Sequence, residues 1–348
     1  MNHLIKIAIL ISILFGKQIM GQDIKSQNKS SAISEERAVH TLQISREAQW
    51  TFPSSLGRPI SKENPDWLER IKNEQFLFPD AVNYFLENGK IDEACELAAN
   101  VWRLWVLEHK EKEGREFLAL ILDKKPFPQT KYFASILYGD GLFAYRLGDT
   151  ALSRKRNNEA LRIAKKFNDA KTQGLAFLGL SRVEYAERNF DESRKFAIES
   201  NDFLEQFGPE YSQPVLGLLA LATKATGNLI EAEPLFEQSL ELNRKLNDEN
   251  MIIVELHNLG HIEVQLGKVD EAEKHFDECE KLSGNTNNPY DMALNIFSKA
   301  TIANARGNEK QARLLVKEAR KILIENNIVL AIEDEDDLSK LESLLNIK

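Results

Sequence analysis

Apolar residues recur at helical spacing along the chain, and short polar, turn-prone runs interrupt them at even intervals. One signature returns five times: Leu147-Gly148-Asp149, Glu187-Arg188-Asn189, Thr226-Gly227-Asn228, Leu266-Gly267-Lys268 and Arg306-Gly307-Asn308. The middle residues step by 40, 39, 40 and 40 positions, and a weaker sixth turn fits at His109-Lys110. Self-similarity at this period is the mark of stacked repeats. Seven residues before each turn stands a small residue, Gly141, Ser181, Ala220, Gly260 or Ala300. Five residues after it stands another, Ser153, Ser193, Ala232, Ala272 or Ala312. Small side chains on both arms let two antiparallel helices cross closely, with Leu235, Phe236, Phe276 and Leu315 filling the space around the contact.

Each unit therefore reads as a first helix, a tight turn, a second helix and a loop. The loops are Asn168-Asp169, Gly208-Pro209-Glu210, Asn247-Asp248-Glu249 and the run from Gly284 to Pro289. A single pair cannot bury its apolar face, whereas stacked pairs share one continuous core. Glu335 to Asn346 reads as a polar amphipathic helix closing the array, with Leu338, Leu341, Leu344 and Leu345 inward and the acidic run Glu333 to Asp337 favouring its start.

The N-terminus departs from this pattern. MNHLIK gives a short basic start, and LIKIAILISILFG an apolar core of roughly a dozen residues, short of the about 20 that a membrane span needs. This predicts a signal peptide at 1–21, cut after Gly21, and export to the periplasm or beyond. Residues 22–63 read as a flexible, partly helical segment: Arg37 to Trp50 suits a short helix, and docking of Trp50 and Phe52 on the array stays open. Residues 64–348 form the repeat domain. With 43% hydrophobic and 28% charged residues the chain is foldable, and its net charge of −9 argues against sequence-independent nucleic-acid binding. Cleavage would remove Lys6 and Lys17 but no acid.

The paired small positions and glycine turns resemble tetratricopeptide repeats, lengthened from about 34 residues to about 40. The expected fold is all-α: a right-handed superhelical, TPR-like solenoid of about six helical hairpins. The run from Asp66 to Glu74 resembles the entry helix of the C-terminal sensor region in bacterial STAND-class ATPase regulators. Leu97 to Trp105, Glu113 to Leu118, Glu159 to Ala164 and Leu256 to Gly260 continue the likeness. No counterpart of the ATPase and DNA-binding modules of those regulators is expected, since no GxxxxGK[ST] run exists and between the expected signal and Trp67 lies only a short polar segment. The resemblance implies a binding scaffold.

No HExxH, paired CxxC or GxSxG run is present, so no catalytic residue and no cofactor is expected. His257 and His261, four residues apart, share a helix face, but no third ligand is evident for a metal. Cys95 and Cys279 read as buried small side chains, and Trp102, Trp105 and Phe117 as core. Repeats of this kind line a groove with their first helices. Registering those helices on the small positions puts Tyr138, Tyr145, Arg146, Arg182, Tyr185, Lys224, His257, His261, Gln265 and Asn304 there, beside Leu142, Leu178 and Phe297. No acid is among them, which suits an extended peptide or an acidic group. The function expected is an exported, non-catalytic scaffold binding a protein or peptide partner; the alternative is a sensor of a small ligand such as a sugar or peptide.

Overall fold

A computed structural model describes residues 33–48, 50, 66–284 and 288–347; the expected signal segment and Phe52 lie outside them. Every regular element among the described residues is helical. They divide into two compact units, one made of residues up to 183 with 199–211, the other of 184–198 with 212 onward.

The N-terminal unit holds α1 (Glu35–Ser45), α2 (Asp66–Glu74), α3 (Phe78–Glu87), α4 (Ile91–Val101), α5 (Arg103–Leu107), α6 (Glu111–Leu122), α7 (Phe133–Arg146) and α8 (Thr150–Lys166). The boundary between units falls inside α9 (Ala170–Ala186), α10 (Phe190–Leu204) and α11 (Pro209–Ala225). Aromatic side chains dominate this core. Trp102 is fully buried and meets Phe143 edge-on at 5.9 Å, while Trp105 stacks on Phe117 at 4.5 Å. Gly139 lies so close to the Trp102 ring that a Cβ there would come within 2.8 Å of it. Trp50 does dock: its ring packs edge-on against Trp67 at 4.9 Å, and its indole N–H donates to the Asn100 carbonyl. α1 is tied down beside it by Arg46 forked onto Glu96 at 2.8 and 2.7 Å and Arg37 on Glu74 at 2.7 Å.

The C-terminal unit continues with α12 (Leu229–Leu246), α13 (Glu249–Gln265), α14 (Val269–Ser283), α15 (Pro289–Ala305), α16 (Glu309–Glu325) and α17 (Ile332–Leu344). Its second helices repeat one packing rule: a small residue is followed four positions later by a large one, as in Ala232 and Phe236, Ala272 and Phe276, Ala312 and Val316, all buried. Both sets of small residues found in the sequence are buried throughout, as the close-crossing argument requires.

The helices stop by a shared device. Gly227 has φ +85°, its N–H bonds to the Lys224 carbonyl at 2.9 Å, and the next N–H, of Asn228, reaches Thr223 at 3.2 Å. This left-handed closure satisfies carbonyls that would otherwise end the helix unpaired. The same pair of bonds closes α13 at Gly267 and α15 at Gly307. It also appears at the far end of the hairpins, where asparagine supplies the left-handed residue at Asn168, Asn247 and Asn327. In the sequence the glycine turns mark the 40-residue period, whereas Asn168 and Asn247 stand out only as part of polar, turn-prone loops.

At Gly260, in α13, an added Cβ would meet the Phe276 ring at 2.6 Å. That ring is itself held between His261 at 5.0 Å and His257 at 6.0 Å and has little room to swing. Gly260→Ala is therefore expected to destabilise the protein by about 1–3 kcal/mol through overpacking. A urea unfolding midpoint equal to that of the parent chain would contradict the close crossing.

Candidate functional site

α13 is buried all round over the continuous stretch from Glu255 to Glu263. α12, α14 and α15 all pack against it, and where these leave polar side chains over, at His257 and Gln265, they meet α17. Beyond Asn327 (φ 52°) the chain runs from Ile328 to Ala331 and re-enters a helix whose first turn is acidic, with Glu333, Asp334 and Glu335 at its positive end.

The carboxylates of α17 meet the first helices one by one. Tyr185 at the end of α9 donates its hydroxyl to Glu333 at 3.3 Å, and Arg188 forks onto Asp336 at 2.8 and 2.9 Å. Lys224 of α11 donates to Asp337 at 2.6 Å, with both side chains about nine-tenths buried. Gln265 of α13 donates to Asp337 at 3.4 Å and accepts from Lys340 at 2.7 Å. Asp334 takes the Tyr290 hydroxyl of α15 at 3.0 Å and lies 3.3 Å from His257 Nε2, whose Nδ1 is 3.2 Å from Ser298 Oγ.

Apolar contacts run the length of the same helix. Ile332 packs with Tyr185 and Ala222, and Leu338, Leu341 and Leu345 join Phe297, Val316 and Leu323 in one buried cluster. Leu344, expected inward, is 66% exposed. The inward stripe runs through 334, 338, 341 and 345, so 344 falls about 100° away from it. On a further side Arg320 of α16 grips Glu335 and Glu342, each through two contacts of 2.7–2.8 Å.

The electrostatics follow the burial. Burial alone would raise the Asp334 carboxyl, but hydrogen bonding and charge from His257, with the Lys224 ammonium and the Tyr290 hydroxyl, outweigh it and hold it below the usual aspartate range. Glu333 goes the other way, pushed up by burial and by the charge of Asp334 beside it. Burial and the neighbouring carboxylates keep the Tyr185 and Tyr290 hydroxyls protonated and donating. His261 stacks on Phe297 at 4.4 Å, has no partner for Nε2 and is held neutral by burial, with His257 and Lys224 adding to the effect. Among the described residues no cluster of three His, Cys, Asp or Glu side chains is arranged to hold a metal. Glu255 is buried behind this face, accepts from Ser239 at 2.7 Å, and is pushed up by burial to about 7.

Five of the ten groove residues expected from the sequence, Tyr185, Lys224, His257, His261 and Gln265, are thus gathered at or beneath α17. Asn304, half-buried in the last turn of α15, stands outside that set of contacts. In the N-terminal unit Tyr138 is fully buried and packs edge-on against Trp102 at 5.9 Å, so it is core before it is surface. Tyr145 is half-buried. Arg146 pairs with Glu111 at 3.1 Å, and burial presses its guanidinium toward a lower pKa. Arg182 keeps a buried Nη1 without a hydrogen-bond partner. The sequence reading missed Arg103, which lies over the Trp102 ring at 4.4 Å, and it missed Arg188, Tyr290 and the acids of α17 as partners of the groove. The available signal was complementarity: an acid-free groove list beside a run of five acids at Glu333 to Asp337.

Two outcomes are expected. Lys224→Ala leaves the carboxylates of α17 without their buried cation, a change that typically costs about 3–5 kcal/mol. Amide exchange across residues 332–345 should accelerate by roughly two orders of magnitude while α12 and α14 stay protected. Exchange in α17 at the parental rate would refute the ion pair. For Glu255, the folded chain binds the proton more tightly than the unfolded chain, whose glutamate titrates near 4.5. Its contribution to stability is therefore full below about pH 4.5 and lost as pH rises through about 7. Glu255→Gln keeps an acceptor for Ser239 without the charge. Urea denaturation at pH 5 and pH 8 should find the variant more stable at pH 8 by on the order of 3 kcal/mol, with less difference at pH 5.

Comparison with known proteins agrees with this architecture. Tetratricopeptide-repeat profiles match residues 215–250 and 256–286. No curated protein sequence matches the chain. Among solved structures, a Rap protein complexed with competence and sporulation factor superposes with a TM-score of 0.53 at 13% identity, over 90% of this chain and 97% of that one. NprR in complex with its cognate peptide NprX gives 0.53 at 16% identity, over 88% and 82%. BtubC from P. vanneervenii gives 0.50 at 16% identity, over 63% and 90%. The hairpins at 215–250 and 256–286 are tetratricopeptide repeats, and the chain has an all-α, TPR-like solenoid fold.

Proposed function

We propose that the protein is an exported, non-catalytic scaffold that binds a protein or peptide partner on the face made by its first helices. The observation that carries this reading is that the face of the C-terminal unit holds a polypeptide helix, α17, through side-chain hydrogen bonds and ion pairs. The corresponding helices of the N-terminal unit bring Tyr145, Arg146 and Arg182, side chains of the same chemistry. Two of the similar structures, the Rap protein and NprR, are by their descriptions bound to a signalling factor or peptide. Both thiols, Cys95 and Cys279, are pushed up by burial to about 12, which removes them as nucleophiles near neutral pH. Export rests on the basic start and apolar core of residues 1–21, and among the described residues no helix is long and apolar enough to cross a membrane.

A second reading, a small-ligand sensor, has a place in a cleft of about 620 Å³ in the N-terminal unit, within the range of small-molecule sites. Its lining mixes Asp92 and Glu93 with Lys124 and Lys125 around Phe127. A crosslinked pull-down from an envelope extract separates the two. The parent chain should capture a partner that Arg182→Ala, folded by circular dichroism, captures at least tenfold less. Equal capture by both would refute the Arg182 face. No capture by either would leave the small-ligand reading in its place.

A further inference from the structure

Three features of α17 bear on what else its seat can hold. The first is complementarity: hydroxyl, guanidinium, ammonium, imidazole and amide groups from three first helices and the turn after α9 face four carboxylates, Glu333, Asp334, Asp336 and Asp337, within one helix turn and a half. The second is that the occupant is poor at standing alone. It has 13 residues, about the length at which isolated helices are marginal in water, and five adjacent acids that repel one another. The third is its tether. The chain leaves α16 at Glu325 and enters α17 at Ile332, a short link that keeps the helix at high effective concentration over its seat. A helix kept over its seat by a tether, with its register set by complementary charge, is the element most open to exchange for an equivalent helix in trans.

We propose that the face formed by Tyr185, Arg188, Lys224, His257 and Gln265 is a docking site for an acidic amphipathic helix of a partner protein, and that α17 is its resident competitor. The partner is defined by what the seat recognises: three or four carboxylates along one helix stripe, followed by leucine-sized side chains at i, i+3 and i+7 that replace Leu338, Leu341 and Leu345 against Phe297 and Val316. Docking requires α17 to leave, so the free chain is self-occluded. This inference rests on the scaffold reading above and narrows it to one face and one class of partner.

The probe is a synthetic peptide of residues 328–348, isotopically labelled so that it is distinguished from the resident segment, with a fluorophore at its N-terminus. Three full-length chains are titrated by fluorescence anisotropy: the parent, the quadruple variant E333Q/D334N/D336N/D337N, and that variant carrying Lys224→Glu. The quadruple variant retains Ile332 and the leucines and is checked for folding by its melting curve. It should bind the peptide at least tenfold more tightly than the parent, and Lys224→Glu should abolish the gain. Equal binding by parent and quadruple variant, or no binding by the variant, would overturn the proposal. Hydrogen exchange supplies a readout independent of the substitutions. In the parent chain, excess peptide should speed exchange of the resident residues 332–345. Peptide that binds without changing that exchange would overturn the competition while leaving the scaffold reading intact; failure of partner capture in the pull-down is the result that would remove the scaffold reading itself.

Discussion

Lys224 and Asp337 lie 113 residues apart in the chain, yet their side chains close to 2.6 Å with only 9% and 12% exposure, and the arrangement of the C-terminal unit is organised around that pair. A lysine so enclosed is tolerated only beside an anion. The anion comes from a helix that must lie across α11, α13 and α15 to bring it there. Once α17 is so placed, His257, Tyr185 and Tyr290 are enclosed as well and need acceptors, which Glu333 and Asp334 provide.

Apolar and polar contacts divide the work of holding α17. Three buried leucines contribute roughly 1.5–3 kcal/mol each, an upper estimate that exceeds what the exposed Arg188–Asp336 pair can add. Burial thus supplies most of the attraction, while the charged contacts fix which turn of α17 meets which helix. The register is narrow: a shift by one residue would turn Leu338 and Leu341 outward and move Asp337 away from Lys224. That division is why neutralising the acids is expected to loosen the helix without unfolding the repeats.

The repeat was legible because its causes are local. A glycine at a left-handed turn, a small residue seven positions before it and another five positions after it are each fixed by contacts within one hairpin, so they recur with the hairpin. Gly260 against Phe276 shows how little space the crossing leaves. The groove residues were legible as a face but not in their state. Register places Tyr138 in the groove, yet register cannot tell that Trp102 covers it. His257 and His261 share a face as the spacing requires, but one borders a carboxylate and the other is sealed and neutral. The seat of α17 was the largest omission. An acidic run at a helix start has a sufficient local explanation in the helix dipole, and only the long-range pairing reveals that the same acids answer the missing charge of the groove.

α17 is held on the first helices by a specific buried ion pair as well as by apolar contact. A double-mutant cycle on Lys224→Met and Asp337→Asn, read by urea unfolding of the full chain, tests it most directly. A coupling energy of about 1–3 kcal/mol between the two positions is expected. A coupling within about 0.3 kcal/mol of zero would mean that the two side chains do not meet in solution, and would overturn the placement of α17 across the first helices.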